Sequence, residues 1–401
     1  MSGNNEWSNT MYDLAVIGGG PGGYVAAIRA AQQGLKTALV EKDSLGGTCL
    51  NRGCIPTKSF VYDTKLFKAA RSSSVLKGIE SLSLDAAQML SRKRQVVNTL
   101  VSGLGGILKS HKIEVFQGEG QLEAAGKVKV VQEDGSDVLL EAKYVILANG
   151  SRPAVPSFIE VDGKKVQTTD HALDDEEVPE TVVIIGGGVI GVEMATIYLN
   201  MGVEVTVVEL LEDILTTEDA QVRKTMRQLF KKQKAQVHLE AKAKEITPDG
   251  DGVKVVFEDR QKALQEMHVD RVLVATGREP VMNGIDAAKL GLDMNGSFVK
   301  VDEWMQTNLP NVFAIGDLIG GMMLAHKASA DAERVIEFIQ GHRKKAKPKL
   351  TPRCIWGLTE VGAVGLNEDE AKATGRAVKV GQFLFRSSGA AQAMGEIEGF
   401  V

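Results

Sequence analysis

Tyr12-Asp-Leu-Ala-Val-Ile-Gly-Gly-Gly-Pro-Gly-Gly23 reads as a short apolar strand running into a GxGxxG turn. Thr181-Val-Val-Ile-Ile-Gly-Gly-Gly-Val-Ile-Gly191 repeats it, with Gly186 standing where Gly18 stood. A helical stretch, Tyr24 to Gln33, follows the first copy, then a strand from Thr37 to Val40 ending at Glu41. The second copy continues with a helix from Val192 to Met201 and a strand from Glu204 to Val208 ending at Glu209. In each, the acid lies 18 positions after the last glycine, near the spacing at which a carboxylate meets an adenosine ribose. The glycines divide the work: Gly18 and Gly186 make the turn, Gly20 and Gly188 let a pyrophosphate approach the backbone, and Gly23 and Gly191 let helix and strand pack closely. A lone GxGxxG is weak evidence, but two in matching strand-turn-helix contexts, each with its acid, are not coincidence. The pattern predicts an α/β chain with two Rossmann-like, three-layer ββα dinucleotide-binding domains. A carboxylate at Glu209 would bond two ribose hydroxyls and repel a 2′-phosphate, favouring NAD over NADP.

Just past the first unit, Leu45-Gly-Gly-Thr-Cys-Leu-Asn-Arg-Gly-Cys-Ile-Pro-Thr-Lys58 carries two of the chain's three cysteines, Cys49 and Cys54. Too few cysteines are present for a disulfide framework, so a close pair points to redox chemistry or metal. A zinc site needs four ligands, and no second cysteine pair or paired histidines accompany this one; small buried hydrophobes remain the plainer alternative. In a regular helix, five residues separate the Cα atoms by about 8.6 Å, beyond the roughly 7 Å a disulfide tolerates. A bridge therefore requires a break in the helix, and Gly53 would permit one.

The 401 residues are 43% hydrophobic and 25% charged with a net charge of −5, enough for two or three soluble domains and unsuited to general nucleic-acid binding. The one basic run, Gly341-His-Arg-Lys-Lys-Ala-Lys-Pro-Lys349, reads as a solvated linker. A polar start without an apolar signal region, and no apolar run of roughly 20 residues, lead us to expect a cytoplasmic protein with no membrane span. Between the glycine units we expect a helix from Leu82 to Leu108 and strands at Ile113 to Phe116, Lys127 to Gln132 and Val138 to Glu141. Two buried strands ending in turns, Tyr144-Val-Ile-Leu-Ala-Asn-Gly-Ser-Arg-Pro153 and Arg271-Val-Leu-Val-Ala-Thr-Gly-Arg-Glu-Pro280, read as crossovers between domains. Further on, Asn311-Val-Phe-Ala-Ile-Gly-Asp317 is another strand, a helix starts near Met323 and runs to about Gln340, and strands with a short helix follow Pro348.

With Gly46 to Lys58, Gly186 to Glu193, Val207-Val-Glu209, Ala275 to Pro280, Ala314 to Asp317 and Gly320-Gly-Met-Met-Leu-Ala-His-Lys327 in place, the chain resembles the pyridine nucleotide-disulfide oxidoreductases, the flavoprotein disulfide reductases, over essentially its whole length. The last segment is the most specific, for the lipoamide branch; glutathione-type relatives generally carry arginine where Glu209 stands. The resemblance implies an oxidoreductase that passes electrons from protein-bound dihydrolipoamide through a Cys49–Cys54 disulfide and FAD to NAD+. It implies an FAD-binding domain of residues 1–150 and 278–347, an NAD-binding domain of 151–277, and an α+β interface domain of 348–401. FAD would lie on Gly18, Gly20, Gly23, Glu41, Lys42, Gly47, Thr48, Lys58, Gly120, Ala148, Gly150, Asp317, Leu324 and Ala325. NAD would lie on Gly186, Gly188, Val189, Ile190, Gly191, Glu209, Ala243 and Gly277. Cys49 would exchange with substrate, Cys54 would face the flavin, Lys58 would pair with Glu193 where hydride moves, and no metal is implied. The implied partners are a second copy of the chain and a lipoylated acyltransferase or H-protein of a 2-oxo acid dehydrogenase or glycine-cleavage complex.

Three departures from the family pattern stand out. Asn149 replaces the threonine of the Ala-Thr-Gly crossover, and Thr359 replaces a proline. The family's HisxHisPro stretch matches none of His111, His171, His238, His268, His326 and His342, so the interface domain is expected to be truncated. Two alternatives stay open: a reductase of mercuric or glutathione type and, because that histidine stretch is missing, a partial flavoprotein with diaphorase activity alone.

Overall fold

The computed structural model describes residues 11–342 and 350–401; most of the basic run ending at Lys349 lies outside them. The chain divides into two compact units, one of residues 1–56, 91–152 and 278–349 and one of 57–90, 153–277 and 350–401.

In the first unit, the strand Met11–Ile17 lies between Thr37–Glu41 and Asp137–Leu147, parallel to both, and Glu114–Gln117 extends the sheet beyond Thr37–Glu41. The eleven-residue strand Asp137–Leu147 changes partner along its length. Its first half pairs antiparallel with Lys127–Val131, which pairs with Glu119–Ala124, and its second half pairs parallel with Val312–Ala314. Successive side chains of a strand point to opposite faces, and both faces are buried here. Leu14, Val16, Leu39 and Ile146 pack with Ala26, Ala27 and Ala30 of helix Pro21–Gln32 and Ala332, Val335 and Ile336 of helix Ala325–Ile339. Ala15, Ile17, Val40, Val145 and Leu147 face Leu122, Val128, Val130 and Leu140 of the antiparallel strands.

The second unit repeats the scheme. Five parallel strands run in the order Gln236–His238, Glu204–Val208, Thr181–Ile185, Arg271–Val274, Val166–Gln167. One face packs on helices Val189–Met201 and Ala220–Lys232. The other packs on the antiparallel strands Lys242–Asp249, Gly252–Glu258 and Leu264–Val269 through Val253, Val255 and Phe257. A C-terminal hairpin, Arg353–Trp356 with Glu360–Ala363, belongs to this unit and sinks Ile355 into the helix-side core. The three-layer architecture expected from the glycine repeats thus occurs twice.

Several boundaries differ from expectation. The long helix spans Ala86–Ser110 and not Leu82 to Leu108, because Asp85 caps it by accepting from the Gln88 amide at 2.9 Å. The strands expected at Val138 and Tyr144 are one, since the charged Lys143 faces solvent while Ala142 stays buried. The helix expected near Met323 begins at Ala325.

Candidate functional site

Gly18 turns at φ +102, and a Cβ there would fall 2.3 Å from the Ala148 carbonyl oxygen. A Cβ on Gly23 would fall 1.7 Å from the Gly18 carbonyl oxygen, so only glycine lets the helix start against the strand. The second copy matches: φ is +110 at Gly186, with 2.4 Å from its would-be Cβ to the Ala275 oxygen and 1.9 Å from that of Gly191 to the Gly186 oxygen. The acids match as well. Glu41 accepts from the Gly19 and Asp43 amides at 2.7 and 2.8 Å; Glu209 accepts from the Gly187 and Leu211 amides at 2.5 and 2.7 Å. Each carboxylate braces its own glycine turn. Burial pushes the Glu41 carboxyl up, against the downward pull of hydrogen bonds from the Gly19 and Lys42 amides.

These turns fit dinucleotides. Gly20 and Gly188 supply no side-chain cap to helices Pro21–Gln32 and Val189–Met201, leaving the helix N-termini to anions. A Cβ on Gly188 would meet nothing within 4 Å, and one on Gly20 only the Gly47 Cα at 3.8 Å. Beside the first turn, Asn149 donates its amide to the Asn283 carbonyl at 3.0 Å, while its buried Oδ1 has no hydrogen-bond partner in the protein.

The remaining cofactor candidates fall around the strand ends. Lys42 follows strand Thr37–Glu41, and Ala148 with Gly150, at φ +72, follows strand Asp137–Leu147. Gly120 packs under the first strand, where a Cβ would fall 2.8 Å from Ile17 Cγ2. Val189 and Ile190 open the second-motif helix, and Gly277, at φ +114, follows strand Arg271–Val274. Ala243 is buried in the core that includes Val208.

The helix is broken between the two cysteines, as a bridge between them would require. Gly47–Asn51 is a short helix carrying Thr48 and Cys49, Arg52 leaves helical geometry at φ −145, and Cys54 begins the helix Cys54–Arg71. A helix N-terminus lowers a thiol's pKa. Gly47, at φ +56, lies against Gly20, where its own Cβ would come within 2.7 Å of the Gly20 Cα, so the cysteine segment sits on the glycine turn. Asn51 fastens it by donating to the Gly47 and Leu45 carbonyls at 2.9 and 3.0 Å, and Arg52 pairs with Asp43. Burial, and then the negative charge of Cys49 and Cys54 as thiolates, raises the Tyr24 hydroxyl pKa. Tyr24 and Asn51 thus join the candidate site, though sequence reading did not single them out.

Asp317, in the short turn Gly316–Ile319, accepts from the Ser151 hydroxyl at 2.5 Å. Arg278 holds Ser151 in turn, its Nε donating to the hydroxyl and its terminal nitrogen to the Ser151 carbonyl, both at 2.7 Å. Leu324 precedes and Ala325 opens the helix beyond this turn, where Lys327 and the Gly316 amide both donate to Asp331. Ser151 and Arg278 come from the two crossover segments, whose shared Gly-x-x-Pro ending was the available signal.

In the second unit, Lys58 Nζ lies 3.1 Å from both carboxylate oxygens of Glu193. Glu193 is 7% exposed on helix Val189–Met201 and also accepts from the Trp356 amide at 3.0 Å. Trp356 was not foreseen; a backbone donor has no sequence signature. Among the described residues, no group of three or more His, Cys, Asp or Glu side chains could hold a metal ion, and no helix is long and apolar enough to cross a membrane.

Comparison with known proteins agrees with this geometry. The family described as pyridine nucleotide-disulphide oxidoreductase matches residues 12–332, and its dimerisation domain matches 351–401. A dihydrolipoyl dehydrogenase of Chlorobaculum parvum is 41% identical over 99% of this chain and 85% of its own length. One of Bacillus subtilis is 40% identical over 98% and 85%. The crystal structure of LpdA from Mycobacterium tuberculosis superposes with a TM-score of 0.89 at 25% identity, covering 98% of this chain and 86% of that one. Two glycine turns braced by their own glutamates, a broken helix carrying the cysteine pair and near-complete coverage by relatives place this chain in the pyridine nucleotide-disulphide oxidoreductase family.

Proposed function

We propose that the protein is a dihydrolipoyl dehydrogenase, oxidising protein-bound dihydrolipoamide to lipoamide and reducing NAD+. The observation that carries this reading is the seating of the cysteine segment on the first glycine turn, through Gly47 against Gly20. In the reading, a substrate thiolate attacks Cys49 Sγ of the Cys49–Cys54 disulfide, and Cys54 leaves as a thiolate favoured by the helix N-terminus. The second substrate thiol then attacks the lipoyl sulfur of the mixed disulfide, releasing lipoamide and the reduced cysteine pair. FAD supplies the conversion of that dithiol's two electrons into hydride transfer to NAD+.

The chain's residues hold the components. The first glycine turn, Glu41 and the Ser151-braced Asp317 would hold FAD. The second turn would hold NAD, with Glu209 selecting against a 2′-phosphate. Lys58 and Glu193 would form the charged pair where hydride moves. Part of the same proposal are the division into FAD (1–150, 278–347), NAD (151–277) and interface (348–401) domains, a homodimer, and service to a lipoylated acyltransferase or H-protein in the cytoplasm. The dimerisation-domain match over 351–401 supports the homodimer.

The test is NADH formation by the FAD-loaded native protein with dihydrolipoamide, set beside NADH oxidation with glutathione disulfide and with mercuric ion. Turnover with dihydrolipoamide, abolished by Cys49→Ser while dye reduction by NADH survives, is expected. Turnover with another disulfide or mercuric ion alone would refute the assignment.

A further inference from the structure

We propose that Trp356 is a positioning residue for the Lys58–Glu193 pair, holding the ammonium over its ring and the carboxylate on its own backbone N–H. The inference rests on the reading that this pair lies at the hydride-transfer position, and goes beyond it by naming what fixes the pair in place.

Lys58 has a flexible four-carbon stem, and its side chain is 30% exposed, so an ion pair with Glu193 alone would leave it free to swing toward water. Glu193 sits on a helix buried along most of its length. Its Oε1 accepts from both Lys58 Nζ at 3.1 Å and the Trp356 amide at 3.0 Å. The Lys58 ammonium also lies 5.7 Å from the centroid of the Trp356 ring, within cation–π range. One residue therefore reaches both members of the pair, the anion through its backbone and the cation through its side chain.

That N–H is delivered by a strand fixed at three places. Arg353, at one end, forms a two-pronged ion pair with Glu218 at 2.9 and 3.3 Å. Ile355 is 2% exposed in the helix-side core. Beyond Trp356, a Cβ on Gly357 would fall 2.6 Å from Met226 Cε, so the turn sits directly on helix Ala220–Lys232. The segment matched to the dimerisation domain thus also organises a charged pair within its own chain.

Side-chain variants separate the two contributions. Both Trp356→Phe and Trp356→Leu keep the backbone donor, but only Phe keeps a π face for the ammonium. In the FAD-loaded native protein, acylation of Lys58 by acetic anhydride, mapped by mass spectrometry, should be about 3- to 10-fold faster in Trp356→Leu than in wild type and within about twofold in Trp356→Phe. Acylation of Lys327, paired with Asp331 in the other unit, should not change. The kcat for dye reduction by NADH should fall in Trp356→Leu with KM for NADH unchanged. Wild-type acylation of Lys58 in Trp356→Leu would overturn the proposal, as would an equal rise at Lys327, which marks general loosening. Glu193→Gln tests the underlying reading separately. Unaltered dye reduction in that variant, with Lys58 acylation still responding to Trp356→Leu, would move the pair away from hydride transfer and leave the positioning role standing.

Discussion

Replacing Arg353 by Met measures what a buried ion pair does for the strand that reaches Glu193. The Glu218 side chain is 1% exposed and the Arg353 side chain 16%. The guanidinium meets both carboxylate oxygens, at 2.9 and 3.3 Å, and the Thr217 hydroxyl also donates to Glu218 at 3.3 Å. Hydrogen bonding to Glu218 raises the Arg353 pKa above its ordinary value, so the two charges stabilise each other. Arg353→Met strands a carboxylate in the core, a change that costs about 3–5 kcal/mol. Glu218→Gln keeps an acceptor for Arg353 and should cost about 1–2 kcal/mol. In Arg353→Met/Glu218→Leu no charge remains to be desolvated, so much of the loss should return. Amide exchange followed by mass spectrometry reads the effect where it arises, in the paired strands Arg353–Trp356 and Glu360–Ala363. At about 1.4 kcal/mol per factor of ten, Arg353→Met should speed exchange there by roughly a hundredfold to several thousandfold, with strand Met11–Ile17 of the other unit unchanged. Exchange within tenfold of wild type, or a double variant as fast as Arg353→Met, would refute the reasoning.

Ser151→Ala removes the hydroxyl that donates to Asp317 at 2.5 Å; with hydrogen bonds to charged groups worth about 1.5–3 kcal/mol, FAD affinity should drop about tenfold or more, measured by flavin release. Gly191→Ala drives a Cβ to 1.9 Å from the Gly186 carbonyl oxygen, so NADH binding should be lost while FAD content persists; retained NADH binding by titration would count against the second glycine turn as the NAD site. Burial alone would raise the Asp270 carboxyl, but donation from the Thr181 amide and hydroxyl and the Glu180 amide, at 2.8 to 3.0 Å, brings it below its ordinary value. A depressed carboxyl stabilises the fold above its unfolded pKa and loses that contribution as pH falls through the folded one. Asp270→Asn should therefore destabilise by about 1–3 kcal/mol at neutral pH, and its gap to wild type in urea unfolding should close as pH falls below about 4; a gap that stays constant into acid would contradict the assignment.

The parts of this protein legible in its sequence are those whose constraints are local. The glycine turns were readable because a carbonyl 1.7 Å from a would-be Cβ admits one residue type, and that type recurs at fixed spacing. The helix break between the cysteines was readable as the condition for a bridge between them, with Gly53 in place, where a Cβ would come 3.0 Å from the Thr48 carbonyl oxygen. Asp85 is a local signal too: its carboxylate accepts from the Gln88 amide and starts the helix at Ala86 and not at Leu82. The strand Lys242–Asp249 hid for another reason. Lys242, Lys244 and Glu245 face solvent, so the strand carries charge on one side and only a few apolar anchors, Ala243 and Ile246, on the other. The supports of the site belong to a third class. Ser151 meets Asp317 across 166 positions, and Trp356 meets Glu193 across 163 through an amide that every residue but proline possesses. No pattern in one sequence marks such a donor, because what selects it is the strand that carries it: an arginine that finds Glu218, an isoleucine that finds the core and a glycine that fits over Met226. The chemistry-bearing residues are thus specified by type, and their alignment is specified by packing elsewhere, so the residues that hold Glu193 in register are those whose roles the structure alone makes visible.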